Sequence, residues 1–424
     1  MSNPPSLLEA RLAFSEGRLT PREYVLACTA KADEVEPWLK SFVTRVANDR
    51  LEVSDDGPLG GIPVGVKDII DTAGLLTTNG SAAYQTNVPS EDADIIARIK
   101  ALGGTIFGKT VTTEFAWRHP GPTVNPWNRA HTPGGSSSGS AASVAAGIVP
   151  LALGTQTVGS VVRPAAYCGV VGFKPSHGIV PREGVHPLSG SLDHVGFFTR
   201  NVDDMAYAFG LLADDVVDFP DVDPRTGVEP VDKPRLAILK PPFWNRADAE
   251  QQAEFERVVQ LLKSAGATLE VLELPARFWD ADAIQRILST EAAVVHQDLI
   301  ASKPDKVSQR IKDLAAAGRE VKAIDYLNDR ALQAELQFEF TDRLDGFDAA
   351  LTLSATGEAP EGLDETGDAS FCGPASYLGV PALNVPSGRS KKGLPLGVQV
   401  VGPYLEDGHT LRVAKWVEQA LAAK

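Results

Sequence analysis

Two stretches rich in glycine and hydroxyl side chains constrain this chain more than any other feature. They are Thr132-Pro133-Gly134-Gly135-Ser136-Ser137-Ser138-Gly139-Ser140 and Gly154-Thr155-Gln156-Thr157-Val158-Gly159-Ser160. The residues between them, 141–153, read as one short helix of small side chains and one strand, which can fold the two stretches back to face each other. Glycines let backbone amides approach a ligand closely and converge on it, which is how a phosphate or an oxyanion is held. The pair therefore points to anion binding, against the plainer alternative of two tight turns. The most apolar run of the chain, residues 141–154, lies here; it is too short for a bilayer and holds Gly147 and Pro150, so it reads as buried core.

A lysine stands where burial is expected. In Ile62-Pro63-Val64-Gly65-Val66-Lys67 the apolar residues alternate as in a strand, and Asp68-Ile69-Ile70 follows. A buried ammonium is costly, so its pKa falls until the amine is neutral near physiological pH and can serve as a general base. A lysine paired with Asp68 or Asp71, or snorkelling to the surface, is the competing reading.

Along the rest of the chain, helical and strand patterns alternate, which indicates an α/β fold. Helices are expected over about residues 6–16 and 20–32, the second opened by the capping box Thr20-Pro21-Arg22-Glu23. Further helices are expected over 95–102, 250–265, 281–344 and 410–422, and strands over 105–107, 236–239, 269–274, 349–353 and 397–401. The loops at 214–232 and 358–373 could be linkers, but no composition shift separates their flanks. One α/β domain spanning residues 1–424 is therefore expected, with the helices of residues 6–32 packed on it.

The 40 basic and 55 acidic residues leave a net charge of −15, the wrong sign for holding a phosphate backbone or an anionic membrane through bulk charge. Cys28, Cys168 and Cys372 form no CxxC pair, so neither a disulfide framework nor a thiolate metal site is suggested, and a reducing cytoplasm fits best. The first residues lack the pattern of a signal peptide.

Taken together, the motifs resemble the amidase signature family over nearly the whole chain. The likeness is carried by Gly60-Gly61-Ile62-Pro63-Val64-Gly65-Val66-Lys67-Asp68, the two serine-rich stretches, and Arg163-Pro164-Ala165-Ala166-Tyr167-Cys168-Gly169-Val170-Val171-Gly172-Phe173-Lys174-Pro175. Later echoes are Ser191-Leu192-Asp193-His194-Val195-Gly196 and Gly393-Leu394-Pro395-Leu396-Gly397-Val398-Gln399. The resemblance implies an α/β/α layered fold around a mixed, mainly parallel twisted sheet. It also implies hydrolysis of a C–N bond without metal or organic cofactor, and it is consistent with a homodimer. It assigns Ser160 as nucleophile, Ser136 as the serine of a cis peptide and Lys67 as base. The backbone amides of Thr157, Val158, Gly159 and Ser160 would form the oxyanion hole. Gly135 and Ser137 are expected beside the substrate.

Three departures from the family pattern bear on the site. Val158 stands where glycine is preferred, and its branched side chain restricts the loop and crowds the pocket. Gln156 and Val162 replace an Asp and Arg that many members carry, so both halves of an ion pair are absent together. Arg163 could then face the substrate and hold a carboxylate with its planar fork, as the likeness to the malonamidase branch suggests; tying down its own loop is the alternative. The expected substrate is a small amide carrying a carboxylate.

Other readings compete. Gly103-Gly104-Thr105-Ile106-Phe107-Gly108-Lys109-Thr110 spells a Walker A motif, yet a helical run precedes it and its middle reads as a strand. Gly135-Ser136-Ser137-Ser138-Gly139 spells the elbow of a His-dependent α/β-hydrolase esterase with Ser137 as nucleophile, but no strand leads into it. His177, His186 and His194 cluster in a loop-rich region where they could line a pocket but are expected to be solvated, and Cys168 is expected to be a packed apolar residue. Related proteins are glutamine-hydrolysing components of tRNA-dependent amidotransferases, so a partner-dependent component of such an assembly is a further alternative.

Overall fold

The computed structural model describes residues 3–214 and 222–423. The capping box at Thr20 is formed: its hydroxyl accepts the Glu23 amide while Glu23 accepts the Thr20 amide, and Pro21 opens a helix running to Leu39. That helix is seven residues longer than expected because Val35 and Leu39 continue its buried face past the acidic run, with Pro37 in its last turn. The first helix, Leu7–Ser15, is capped by Ser6 and Glu9 in the same way. Part of the 214–232 loop, residues 215–221, lies outside the described residues.

Eleven strands among the described residues form one sheet. They are β1 (Phe42–Arg45), β2 (Pro63–Lys67), β3 (Thr105–Thr110), β4 (Leu151–Gln156), β5 (Val171–Lys174), β6 (His194–Thr199), β7 (Arg235–Ile238), β8 (Thr268–Val271), β9 (Ala349–Leu353), β10 (Ala382–Arg389) and β11 (Pro395–Val401). Their order is β1-β3-β2-β4-β6-β5-β10-β11-β9-β7-β8. The sheet is mixed, as expected, but parallel pairing does not dominate it. The parallel pairs β3-β2, β2-β4, β9-β7 and β7-β8 lie toward the two flanks, and the centre from β4 to β9 is antiparallel. The hairpin joining β10 and β11 through Gly393 at positive φ is one reason.

Two parallel neighbours position the site. Val64 of β2 lies beside Leu151 of β4 and Val66 beside Leu153, so both strands end at the same edge of the sheet. Lys67 closes β2 there, and β4 runs out into the loop carrying Ser160. The carboxyl ends of neighbouring parallel strands are where open α/β sheets place their ligands. The serine-rich stretch leads into the helix Ser138–Ala145, whose small side chains let it lie close: a Cβ on Gly139 would stand 2.1 Å from the Ser41 carbonyl oxygen. Ser140 and Ser143 turn their hydroxyls to backbone carbonyls, which satisfies the polar groups of this buried helix.

The helices Ala281–Ser302, Gln309–Arg319 and Ala323–Arg343 pack around a second apolar cluster that includes Phe278, Ile287, Leu336 and Phe340 with Ala237 of β7 and Ala350 of β9. Several residues of the loop 358–373 line the cavity described next. No helix among the described residues is long and apolar enough to cross a membrane.

Candidate active site

Lys67 has no exposed surface. Its Nζ lies 2.7 Å from Ser136 Oγ and 2.7 Å from Thr155 Oγ1, with the Thr155 carbonyl at 3.4 Å. Burial pushes its pKa well below the usual lysine value, and the nearby Asp193 carboxylate opposes that only in part. Asp193 is itself held by the Thr157 hydroxyl at 2.6 Å and the amides of Leu188 and Ser189. Lys67 is thus a lysine biased toward its neutral form and within proton-transfer reach of a serine.

The peptide bond between Gly135 and Ser136 is cis, as the resemblance implied for Ser136. The Ser136 carbonyl accepts the Thr113 amide at 3.1 Å. Ser136 and Ser160 line one cavity of about 500 Å³, together with Thr157, Val158, Gly159 and Arg163. Of the expected site, then, the two serines and the candidate oxyanion loop share this cavity, and Lys67 stands directly behind Ser136.

Gln156 explains the paired departure from the family pattern. Fully buried, its Oε1 accepts the amides of Val161 at 2.8 Å and Val162 at 3.0 Å. Its Nε2 donates to Ser376 Oγ at 2.9 Å, and Ser376 donates in turn to the Val158 carbonyl at 2.9 Å. A neutral amide therefore fixes both ends of the Ser160 loop with no buried charge, and Val162 can pack in the core where a partner cation would stand. Gly159 must be glycine, since a Cβ there would meet Ala369 at 2.9 Å and Cys372 at 3.0 Å.

Two expected substrate contacts are placed differently. Ser137 has no exposed surface; its hydroxyl donates to the Thr155 carbonyl at 3.1 Å and accepts the Thr155 amide at 3.2 Å, so it braces β4. That geometry also removes Ser137 as the nucleophile of an esterase elbow. Gly135 is buried and uses its carbonyl to accept Arg163 Nη2 at 2.7 Å. Arg163 serves a loop other than its own. It ties down the Gly135 loop, with Thr366 Oγ1 also accepting at 3.2 Å, and it lines the cavity with its Nε buried and unpartnered.

The competing motifs resolve into structural roles. Lys109 lies on β3 with its ammonium buried against the Ile70 carbonyl and the hydroxyls of Thr77 and Thr72, not in a phosphate loop. No histidine lines the Ser160 cavity among the described residues. His194 is buried with Nδ1 2.7 Å from the Leu192 carbonyl, while His177 and His186 are half-buried, so none of the three is simply solvated. Cys168 is buried, and Cys372 packs behind Gly159 with its thiol on the Ser354 carbonyl. Several lining residues had no motif to announce them: Trp117 and Arg118, Phe243 and Arg246, Trp279, and Asp368.

The family model for amidases matches residues 23–411. The chain belongs to the amidase family. Among curated relatives of this amidase-family chain, a glutamyl-tRNA(Gln) amidotransferase subunit from Halothermothrix orenii is 31% identical over 98% of this chain and 97% of its own length. The protein of the same name from Koribacter versatilis is 32% identical over 97% and 98%. A solved amidase structure superposes with a TM-score of 0.86 at 30% identity, covering 98% of this chain and 99% of that one. The corresponding glutamyl-tRNA(Gln) amidotransferase subunit from Thermotoga maritima gives a TM-score of 0.81 at 29% identity, covering 94% and 91%.

Proposed function

We propose that this chain hydrolyses the C–N bond of a small, carboxylate-bearing amide through an acyl-enzyme on Ser160. The observation that carries the reading is the 2.7 Å contact between buried Lys67 and Ser136 at the back of the cavity that holds Ser160. Neutral Lys67 draws the proton of Ser136, Ser136 draws that of Ser160, and Ser160 Oγ attacks the amide carbon. Charge building on the carbonyl oxygen is met by the amides of residues 157–160. The relay then returns the proton to the leaving nitrogen, which departs as ammonia or amine. Water hydrolyses the ester by the same route. Arg163, which lines the cavity, takes the substrate carboxylate. The three buried, unpaired thiols suit a reducing cytoplasm.

A second reading shares this chemistry and is favoured by the curated relatives, which are named as components of an amidotransferase. Glutamine is also an amide carrying a carboxylate. In that reading the ammonia passes to a partner protein instead of solvent.

One experiment separates the two. Ammonia release by the purified chain is measured on malonamate, malonamide, glutamine and neutral aromatic amides, beside Ser160→Ala. Ser160-dependent release by the chain alone, favouring the acidic amides, is expected. Release confined to neutral amides discards the carboxylate. Silence of the chain alone, with glutamine hydrolysis appearing on addition of the other amidotransferase components, replaces the first reading with the second.

A further inference from the structure

The cavity around Ser160 carries a surplus of positive charge inside an acidic protein. Arg118, Arg163 and Arg246 line it, against the acids Glu365 and Asp368. Both acids already have cations: Arg310 holds Glu365 at 2.8 Å, and Arg246 lies 3.6 Å from Asp368. Arg118 and Arg163 have no carboxylate partner among the described residues. Arg163 keeps an unpartnered Nε in a buried position. Arg118, an exposed residue, lays its guanidinium 4.8 Å over the Trp117 ring and makes no side-chain hydrogen bond among the described residues. Burial disfavours the charge on Arg163, and the like charge of Arg118 adds to that cost while Tyr167, Cys372 and Asp368 oppose it in part.

The backbone beneath Arg118 is built to hold it there. Phe115, Ala116 and Arg118 have φ of 48°, 60° and 28°, the left-handed region that such residues rarely enter. The segment is pinned by the Phe115 amide on the Asn79 carbonyl and by Arg310 Nη1 on the Arg118 carbonyl, while Thr113, two residues before Phe115, donates its amide to the Ser136 carbonyl. The chain thus adopts an unfavourable path to present Trp117 and Arg118 beside the reacting serines.

We propose that Arg118 is a specificity residue which, stacked on Trp117 at the cavity, closes on the free carboxylate of the substrate together with Arg163. A carboxylate relieves the repulsion between the two cations, and the planar fork of an arginine stacked on an indole suits it bidentately. The surplus charge draws anions into the cleft of a protein whose net charge of −15 would otherwise repel them. The proposal rests on the reading of this cavity as the amidase site.

The test is equilibrium binding to the Ser160→Ala protein, which takes ligand without turnover. Malonate and malonamide are titrated calorimetrically with Arg118 intact, with Arg118→Gln and with Arg118→Lys. Malonate is expected to bind more tightly than malonamide. Arg118→Gln should weaken malonate about tenfold, Arg118→Lys should restore part of the loss, and high salt should shrink it. Unchanged malonate affinity in Arg118→Gln overturns the proposal, as does an equal loss for malonamide or no malonate binding with Arg118 intact. Ammonia release from malonamate by the Ser160 enzyme is read alongside. Arg118-dependent malonate binding without Ser160-dependent release would discard the amidase reading and leave the anion site standing. Release with malonate affinity indifferent to Arg118 would do the reverse.

Discussion

Lys67 and Ser136, 69 residues apart in the chain, meet at 2.7 Å with the amine fully buried. Because burial lowers the lysine pKa, the neutral, proton-accepting form gains population as pH rises. Acylation should therefore climb with pH along an acid limb that belongs to Lys67. Lys67→Ala is expected to cut kcat/KM by about 10²–10⁴ and to abolish that limb. A variant that keeps the wild-type pH–rate profile would show that another group is the base.

Gln156→Ala removes the acceptor for two amides and the donor to Ser376 at once. Each buried group left unpaired costs about 1–3 kcal/mol, and the Ser160 loop loses its clamp. We expect a lower Tm and a kcat that falls more than KM rises, because the transition-state contacts of the loop suffer most. Ser376→Ala should reproduce the kcat loss in milder form. Equal kcat in all three proteins would mean that the loop holds its shape without the clamp.

Lys109 tests the structural account of the Walker-like motif. Lys109→Ala removes the buried donor to the Ile70 carbonyl and the Thr77 and Thr72 hydroxyls, while Ile70 keeps the Thr72 hydroxyl and Thr77 still donates to the Leu75 carbonyl, so a total loss of about 1–3 kcal/mol is expected. Its folded-state pKa is about 8 against an ordinary 10.5, chiefly through burial, so the unfolded chain binds more protons between these values. Its contribution to stability accordingly rises with pH across that window and is withdrawn below it. Urea unfolding at pH 7.5 and 9.5 should show wild type gaining more than the variant; equal gains would refute the assignment.

His296 is buried between Phe115 and His186, with ring centroids 4.8 Å and 5.6 Å away. Burial, helped by His186, lowers its pKa from 6.5 to about 3. Below the unfolded value the unfolded chain takes a proton that the folded one refuses, so this residue withdraws stability as pH falls through that range. His296→Phe removes the titration, and the Tm of the variant relative to wild type should be higher at pH 5 than at pH 7.5. A difference independent of pH would contradict this.

What could be read from the sequence was local. Lys67, Ser136 and Ser160 were singled out through the family resemblance of the runs that hold them, and in two of those runs glycines mark tight packing, as at Gly139 and Gly159. Arg118, Trp279 and Asp368 were not, because they reach the cavity from separate segments with no shared pattern. The backbone path that presents Arg118 relies on left-handed residues other than glycine, which carry no sequence signal. The antiparallel centre of the sheet was equally hidden, since alternation marks a strand and not the direction of its neighbour.

The clamp through Ser376 also sets a timetable. Ser160 is made well before the residue that completes the support of its loop, which lies 220 positions after Gln156. A nascent chain released or cleaved before that point carries Lys67, Ser136 and Ser160 without that support. The Ser160 loop thus gains its full clamp only once Ser376 has been made and has folded against it.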